Sequence, residues 1–164
     1  MTNINLEAVL LEALDDERKA EATYGAVIEK FGEVRPFINI IEAERRHSAA
    51  IERQMIRLGF AIPANQWQGK GMAPATLAEA CSMAIKAEVE NIALYDRLLP
   101  AIADDSVRHV LQNLQDASRD NHLPAFRRCL ERENGGDGSG GARDEQGSQG
   151  RHGRGRGPRG GCSI

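Results

Sequence analysis

Between Phe37 and Leu58 the apolar residues recur with the period of a helix, and two side chains foreign to a core break the stripe they form. Counting by sevens, Phe37, Glu44, Ile51 and Leu58 fall on one line, and Ile40, His47 and Gln54 on the line beside it. Residues three apart on a helix project to the same side, so a carboxylate and an imidazole are aimed together into the interior. Buried bare, either group is costly; each must be paired, hydrogen-bonded or bound to a metal. The chain can fold around this helix only if other segments bring partners to Glu44 and His47.

Three further helices are predicted, and each carries such a partner. The first spans residues 5–31, with Asn5 as its cap and Gly32 as its stop. Its stripe runs Leu10, Glu17, Tyr24 and Phe31, flanked by Ala13, Ala20 and Val27, so Glu17 interrupts an apolar face at mid-length. The second helix opens near Pro36, a residue suited to a first turn, and ends near Leu58 before Gly59. The third runs from about Pro74 to Leu99-Pro100. Cys81, Glu88 and Tyr95 lie on one of its lines, and Leu77, Ala84, Asn91 and Leu98 on the next. The fourth begins after Asp104-Asp105 and turns Val107, Leu111, Leu114, Ser118, His122, Phe126 and Cys129 inward. Pro124 is predicted to kink it just past His122, because it removes a backbone donor and crowds the preceding turn. The stretch 60–73 is too irregular for a helix and long enough to cross one end of a bundle, where Trp67 is expected to pack.

The two halves repeat one another. Glu17 precedes Tyr24 by seven residues, and Glu88 precedes Tyr95 by seven. Each half is a helix with a central Glu followed by a helix with a central His, His47 in one and His122 in the other. A repeated αα-hairpin predicts an all-α fold, an antiparallel four-helix bundle of two hairpins joined by a long crossover.

Composition sets the limits of that bundle. Up to residue 133 there are 16 Lys and Arg against 21 Asp and Glu; from residue 134 the chain is Gly, Ser, Gln and Arg with almost nothing apolar. The predicted division is a mildly acidic bundle over 1–133 and a disordered Gly/Arg-rich tail over 134–164, which cannot bury enough apolar surface to fold. Within the tail, residues 151–161 hold four Arg and no acid, a composition suited to weak contact with RNA or another polyanion; a solubilising role is the reading preferred. No apolar run approaches the length of a membrane span, and the N-terminus lacks a basic-then-apolar signal, so no membrane contact and a cytoplasmic location are expected. Cys81, Cys129 and Cys162 are odd in number and far apart, which suggests neither a disulfide framework nor a zinc-finger spacing. Buried thiols are expected at Cys81 and Cys129.

The residues from Glu17 to Tyr24, Glu44-Arg45-Arg46-His47, Glu88 to Tyr95, and Asn121-His122 resemble the ferritin-like superfamily, and are similar to rubrerythrin-type proteins. Asp16-Glu17, the phrase from Val34 to Ile40 and that from Asn121 to Phe126 look closest to a ferritin-like branch whose function is unassigned, a domain of unknown function. The resemblance covers residues 5 to about 131. It implies a di-iron or di-manganese carboxylate site at mid-bundle, in which one Glu comes from each of two helices and a Glu-x-x-His from each of the others. On that pattern Glu17 and Glu88 are terminal ligands, Glu44 bridges, and His47 and His122 ligate. Tyr24, Tyr95 and Asn91 fall where they can hydrogen-bond those ligands. The departure is position 119, three before His122, where the pattern asks for a second bridging Glu and this chain has Arg119.

Two functional readings follow. In one, the five residues hold one or two ions, iron or else manganese or zinc, with ferroxidase or peroxide-consuming chemistry. No Cys-x-x-Cys pair is present to feed in electrons, so an external donor is expected, and the resemblance allows a homodimer, for which the sequence shows no interface signal. In the other, Arg119 turns inward and its guanidinium replaces the metal charge, leaving a degenerate, metal-free module for binding or structure. The catalytic residue is not assigned by either reading.

Overall fold

The computed structural model describes residues 5–135, and every regular element in it is helical. Helix α1 spans Leu6–Phe31, α2 Phe37–Leu58 and α3 Leu77–Leu98. A short 3-10 turn at Leu99–Ala101 leads to α4, Asp105–Ala117, and α5, Leu123–Gly135; α4 and α5 are joined through a π turn at Ser118–His122. The ends are fixed by local chemistry. The Asn5 side chain accepts from the Glu7 and Ala8 amides. Thr76 and Glu79 form a reciprocal capping box at the start of α3, and Asp104 caps α4 through the Val107 amide. Helix α2 closes on Gly59, whose φ of 77° is the left-handed conformation that a glycine adopts without penalty.

The four rods pack as a helical bundle with two apolar clusters on either side of a polar middle. One cluster gathers Leu10, Leu14, Ile51, Met55, Leu98 and Leu111; the other gathers Val27, Phe37, Ile40, Ala80, Phe126 and Cys129. Phe37, Tyr24 and Phe126 form an aromatic triangle in the second, with ring centroids 5.0 to 5.6 Å apart. No helix among the described residues is long and apolar enough to cross a membrane.

The connection after Gly59 does not close off an end of the bundle as the sequence suggested for Trp67. It runs lengthwise along α1. Pro63 O accepts from Arg18, the Trp67 Nε1 donates to Asp15 at 2.8 Å, and Lys30 donates to Pro74 O at 2.6 Å. Trp67 is only half-buried because its ring rests on the side of α1 under the Lys19 ammonium. Gly71 touches α1 directly: a Cβ at this position would lie 1.8 Å from the Ala22 carbonyl oxygen, so only glycine allows the approach. The chain thereby returns to the C-terminal end of α1 before α3 begins, and α3 runs antiparallel to α1.

A second difference concerns the cysteines. Cys81 and Cys129 form a disulfide between α3 and α5, with Cα atoms 5.9 Å apart, in place of the two thiols expected. The reason is antiparallel geometry. Glu88 and His122 face one another, and seven residues back along α3 and seven forward along α5 lead to the same level. Helix α5 extends to Gly135; residues 136–164, including Cys162 and the Arg-rich run, lie outside the described residues, as do residues 1–4.

Candidate metal centre

Glu17 from α1, Glu44 and His47 from α2, Glu88 from α3 and His122 from the π turn meet between the two apolar clusters. Glu17, Glu44, Glu88 and His122 are each at most 4% exposed. Their atoms sort into two triads that share one residue: Glu17, Glu44 and His47 in the first, Glu44, Glu88 and His122 in the second, with the ligand-type atoms of each triad within 4.8 Å of one another. His47 Nδ1 lies 3.0 Å from Glu17 Oε2 and 3.2 Å from Glu44 Oε2. His122 Nδ1 lies 3.2 Å from Glu44 Oε1 and 3.5 Å from Glu88 Oε2. Glu44 therefore offers one oxygen to each half. The two imidazoles stack across it, 5.5 Å between centroids.

The outer groups repeat the same symmetry. Tyr24 on α1 donates to Glu88 Oε1 on α3 at 2.8 Å, and Tyr95 on α3 donates to Glu17 Oε1 on α1. Each phenol thus holds the terminal carboxylate of the opposite hairpin, leaving the second carboxylate oxygen turned to a histidine. Asn91 Nδ2 reaches Glu17 Oε1 at 3.4 Å but donates chiefly to Asp16 Oδ2 at 2.7 Å, and its own oxygen accepts from Ser118 at 2.8 Å. The sequence marks Asp16 only beside Glu17 and Ser118 only as an inward position of the last helix, and places neither at the site. Asp16 precedes a stripe residue rather than lying on the stripe. Ser118 joins the site by donating to Asn91.

A backbone feature corrects the expectation for Arg119. The residue three before His122 would share its face in a regular α-helix. Here the segment is a π turn, in which the Leu123 amide bonds back to Ser118 O, five residues earlier. Pro124 follows at once and has no amide to donate to the Asp120 carbonyl, so the wider turn replaces a regular one. The wider turn keeps Ser118 on the inward face with His122, both buried, and turns Arg119 out. Its guanidinium pairs with Asp116 at 2.5 Å and Asp120 at 3.1 Å, about half exposed at 48%. Arg119 neither bridges nor neutralises the buried carboxylates. His109, Asp116 and Asp120 are likewise at the surface side of this rod.

The electrostatics follow from three carboxylates in a dry space. Burial, and then the neighbouring Glu44 charge, raise Glu17 to about 7. Burial would raise Glu44 too, but His122 and His47 beside it bring it below the ordinary carboxylate value. Burial disfavours charge on the imidazoles, yet Glu17 and Glu44 raise His47 to about 9, and Glu44 and Glu88 raise His122 to about 10. Both tyrosines are held well above 10, first by burial and then by the carboxylates they touch. Without an ion, the cluster is balanced by protons on the histidines.

The donor set fits a divalent ion in each triad. His122 Nδ1 is one of two buried side-chain polar atoms among the described residues that no aligned hydrogen bond satisfies, although two carboxylate oxygens lie beside it. In the His122 triad the imidazole nitrogen and the carboxylate oxygens face a common space without an aligned hydrogen bond between them, an arrangement that could hold a metal ion, whereas His47 is hydrogen-bonded to Glu17 and Glu44. Oxygen and imidazole donors together favour iron, manganese or zinc over magnesium.

No family model matches this chain, and no curated protein matches it. Among solved structures, it is similar to the crystal structure of a hypothetical protein from Methanococcus jannaschii. The two superpose with a TM-score of 0.72 over 82% of this chain and 84% of the other, at 19% sequence identity. The likeness is one of fold.

Proposed function

We propose that this chain is a ferritin-like four-helix bundle that holds two iron ions, one in each triad, and oxidises Fe(II) with dioxygen or peroxide. The observation that carries this reading is the division of Glu44, with Oε2 on the His47 side and Oε1 on the His122 side. A single carboxylate with a histidine at each oxygen is the arrangement a bridging ligand requires. Position 119, which gave the metal-free reading its counter-charge, is outside the cluster and ion-paired there. What iron supplies when bound is one-electron redox chemistry at two adjacent centres.

The protein's own residues have separate tasks in this scheme. Glu17 and His47 would hold one ion and Glu88 and His122 the other, with Glu44 offering an oxygen to each side. Tyr95 and Tyr24 fix the terminal carboxylates so that one oxygen of each stays directed at the ion; such outer hydrogen bonds carry roughly 10- to 100-fold in affinity or activity. The apolar clusters close the space above and below the carboxylates. Only one bridging carboxylate is available where the ferritin-like pattern has two, because Ser118 stands in the second position. The electrons for turnover come from a separate donor.

The test is elemental analysis of protein purified without chelator, together with anaerobic Fe(II) titration. Two ions per chain are expected, falling to none in Glu44→Ala with helix content unchanged by circular dichroism. Wild-type stoichiometry in Glu44→Ala would remove the basis of the proposal.

A further inference from the structure

Between α1 and α3 a cavity of about 290 Å³ leads from the surface to the carboxylate cluster. Glu44, Glu88 and Asn91 form its floor; Lys19 and Lys86 stand at its mouth. The walls between are largely apolar: Ala20, Thr23 and the Tyr24 ring on α1, and Met83, Ala84 and Ala87 on α3. This opening follows from a flaw in the repeat. Three residues after Glu88 comes Asn91, which is bonded into the cluster, whereas three residues after Glu17 comes Ala20, which leaves space.

The size of the space exceeds what dioxygen or hydrogen peroxide requires. One water molecule takes a share of about 30 Å³ in the liquid, and pockets for small organic ligands begin at about 300 Å³. The cavity holds a ligand with an apolar body of several carbons and one polar end. The polar end meets Glu44 and Glu88, and the body lies along the alanines. The lining argues against an anionic ligand. It holds four carboxylates, Asp16, Glu44, Glu88 and Glu90, against two lysines, Lys19 and Lys86.

Resting on the two-iron reading above, we propose that the groove takes a neutral alkyl hydroperoxide, peroxide end inward, and that the protein reduces it to the alcohol. The reaction is ROOH + 2 Fe(II) + 2 H⁺ → ROH + H₂O + 2 Fe(III). The O–O bond breaks, one oxygen leaves in the alcohol and the other in water, and the two electrons come from the two ferrous ions. Ala20, Ala84 and Ala87 set the selectivity for an organic body over hydrogen peroxide.

Two measurements on the full chain test this. The first is independent of metal: the metal-free protein is titrated with 2-phenyl-2-propanol, the alcohol formed from cumene hydroperoxide, and methyl NMR shifts are followed. Saturable shifts at Ala20, Ala84 and Ala87 are expected, with affinity weakened roughly tenfold or more in Ala87→Phe, the scale on which apolar pockets discriminate. No saturable shift at these methyls would overturn the proposal, whatever the iron centre does. The second compares the rate of Fe(II) oxidation by cumene hydroperoxide with that by hydrogen peroxide. The ratio of the two kcat/KM values should fall roughly tenfold or more in Ala87→Phe at equal iron content; an unchanged ratio would also overturn it. If the alcohol binds but neither peroxide oxidises the bound iron, the fault lies with the oxidative reading, and the reduction step is lost with it.

Discussion

At the scale of single residues, protons and a bound metal ion would compete for the same atoms of the cluster. In the metal-free protein His47 and His122 keep their protons to about 9 and about 10, far above the ordinary imidazole value of 6.5. A group with a raised folded-state pKa stabilises the fold fully below its unfolded value, and this contribution is lost as pH rises through the folded value. Glu17, raised to about 7, acts in the same direction between 4.5 and about 7. The metal-free protein is therefore expected to lose stability steadily from pH 6 to pH 10. Loaded protein should show the opposite trend in metal affinity, because binding displaces the imidazole protons and is favoured as they become scarcer. Thermal unfolding of chelator-treated and iron-loaded protein at pH 6 and pH 9 checks both signs: the melting temperature of the metal-free form falls by several degrees, and the gap between the two forms widens. A metal-free form that is more stable at pH 9 would contradict the protonated histidines.

Among the elements, the rod α4–π–α5 decides most. The sequence shows Pro124 and predicts a bend; it does not show that the bend takes the form of a π turn, which changes the register of everything before it. The register is why Arg119 is exposed although it lies three residues before the buried His122. A substitution aimed at restoring the missing bridge, Arg119→Glu, is thus expected to leave iron stoichiometry as in wild type, since the new carboxylate would point to solvent beside Asp116 and Asp120; titration with Fe(II) measures this, and a gain towards a further ligand's worth of affinity would mean that the turn can revert to α-helix. The same rod is tied to α3 by Cys81–Cys129, which closes a segment with a sequence separation of 48. A link of this kind contributes about 2–4 kcal/mol, chiefly by restricting the unfolded chain. Cys81→Ser with Cys129→Ser should lower the urea midpoint accordingly, and should loosen the hold of Glu88 and His122 on the second ion more than that of Glu17 and His47 on the first. Equal urea midpoints with and without the pair would show that the bond carries no such load.

For the whole molecule, the arrangement is two helical hairpins whose polar residues face one another, with the connection after Gly59 laid along α1. The hairpin repeat brings Tyr24 to Glu88 and Tyr95 to Glu17, so neither half can complete its own ligand geometry. The centre belongs to the pair of hairpins and forms only when they dock. The Gly/Arg-rich run beyond α5 is poor in apolar residues, a composition from which no contribution to that core is expected. Deleting residues 136–164 is expected to leave both the melting temperature and iron stoichiometry at their full-length values. Calorimetry and elemental analysis of the shortened chain check this, and a marked drop in either would show that the segment docks on the bundle.

The sequence by itself determined the helices, their caps and which of their residues face inward, because period and capping are local properties of a chain. It also singled out Glu17, Glu44, His47, Glu88 and His122, because a charged group in an apolar stripe is visible without knowing what lies opposite. The tertiary structure alone decided that Glu44 stands between two histidines, that the tyrosines cross between hairpins and that two distant cysteines are joined. It also decided that one turn of the last rod widens, so that Arg119 leaves the site. These depend on distances between segments far apart in the chain, or on a change of register, and neither leaves a periodic mark in the residues themselves.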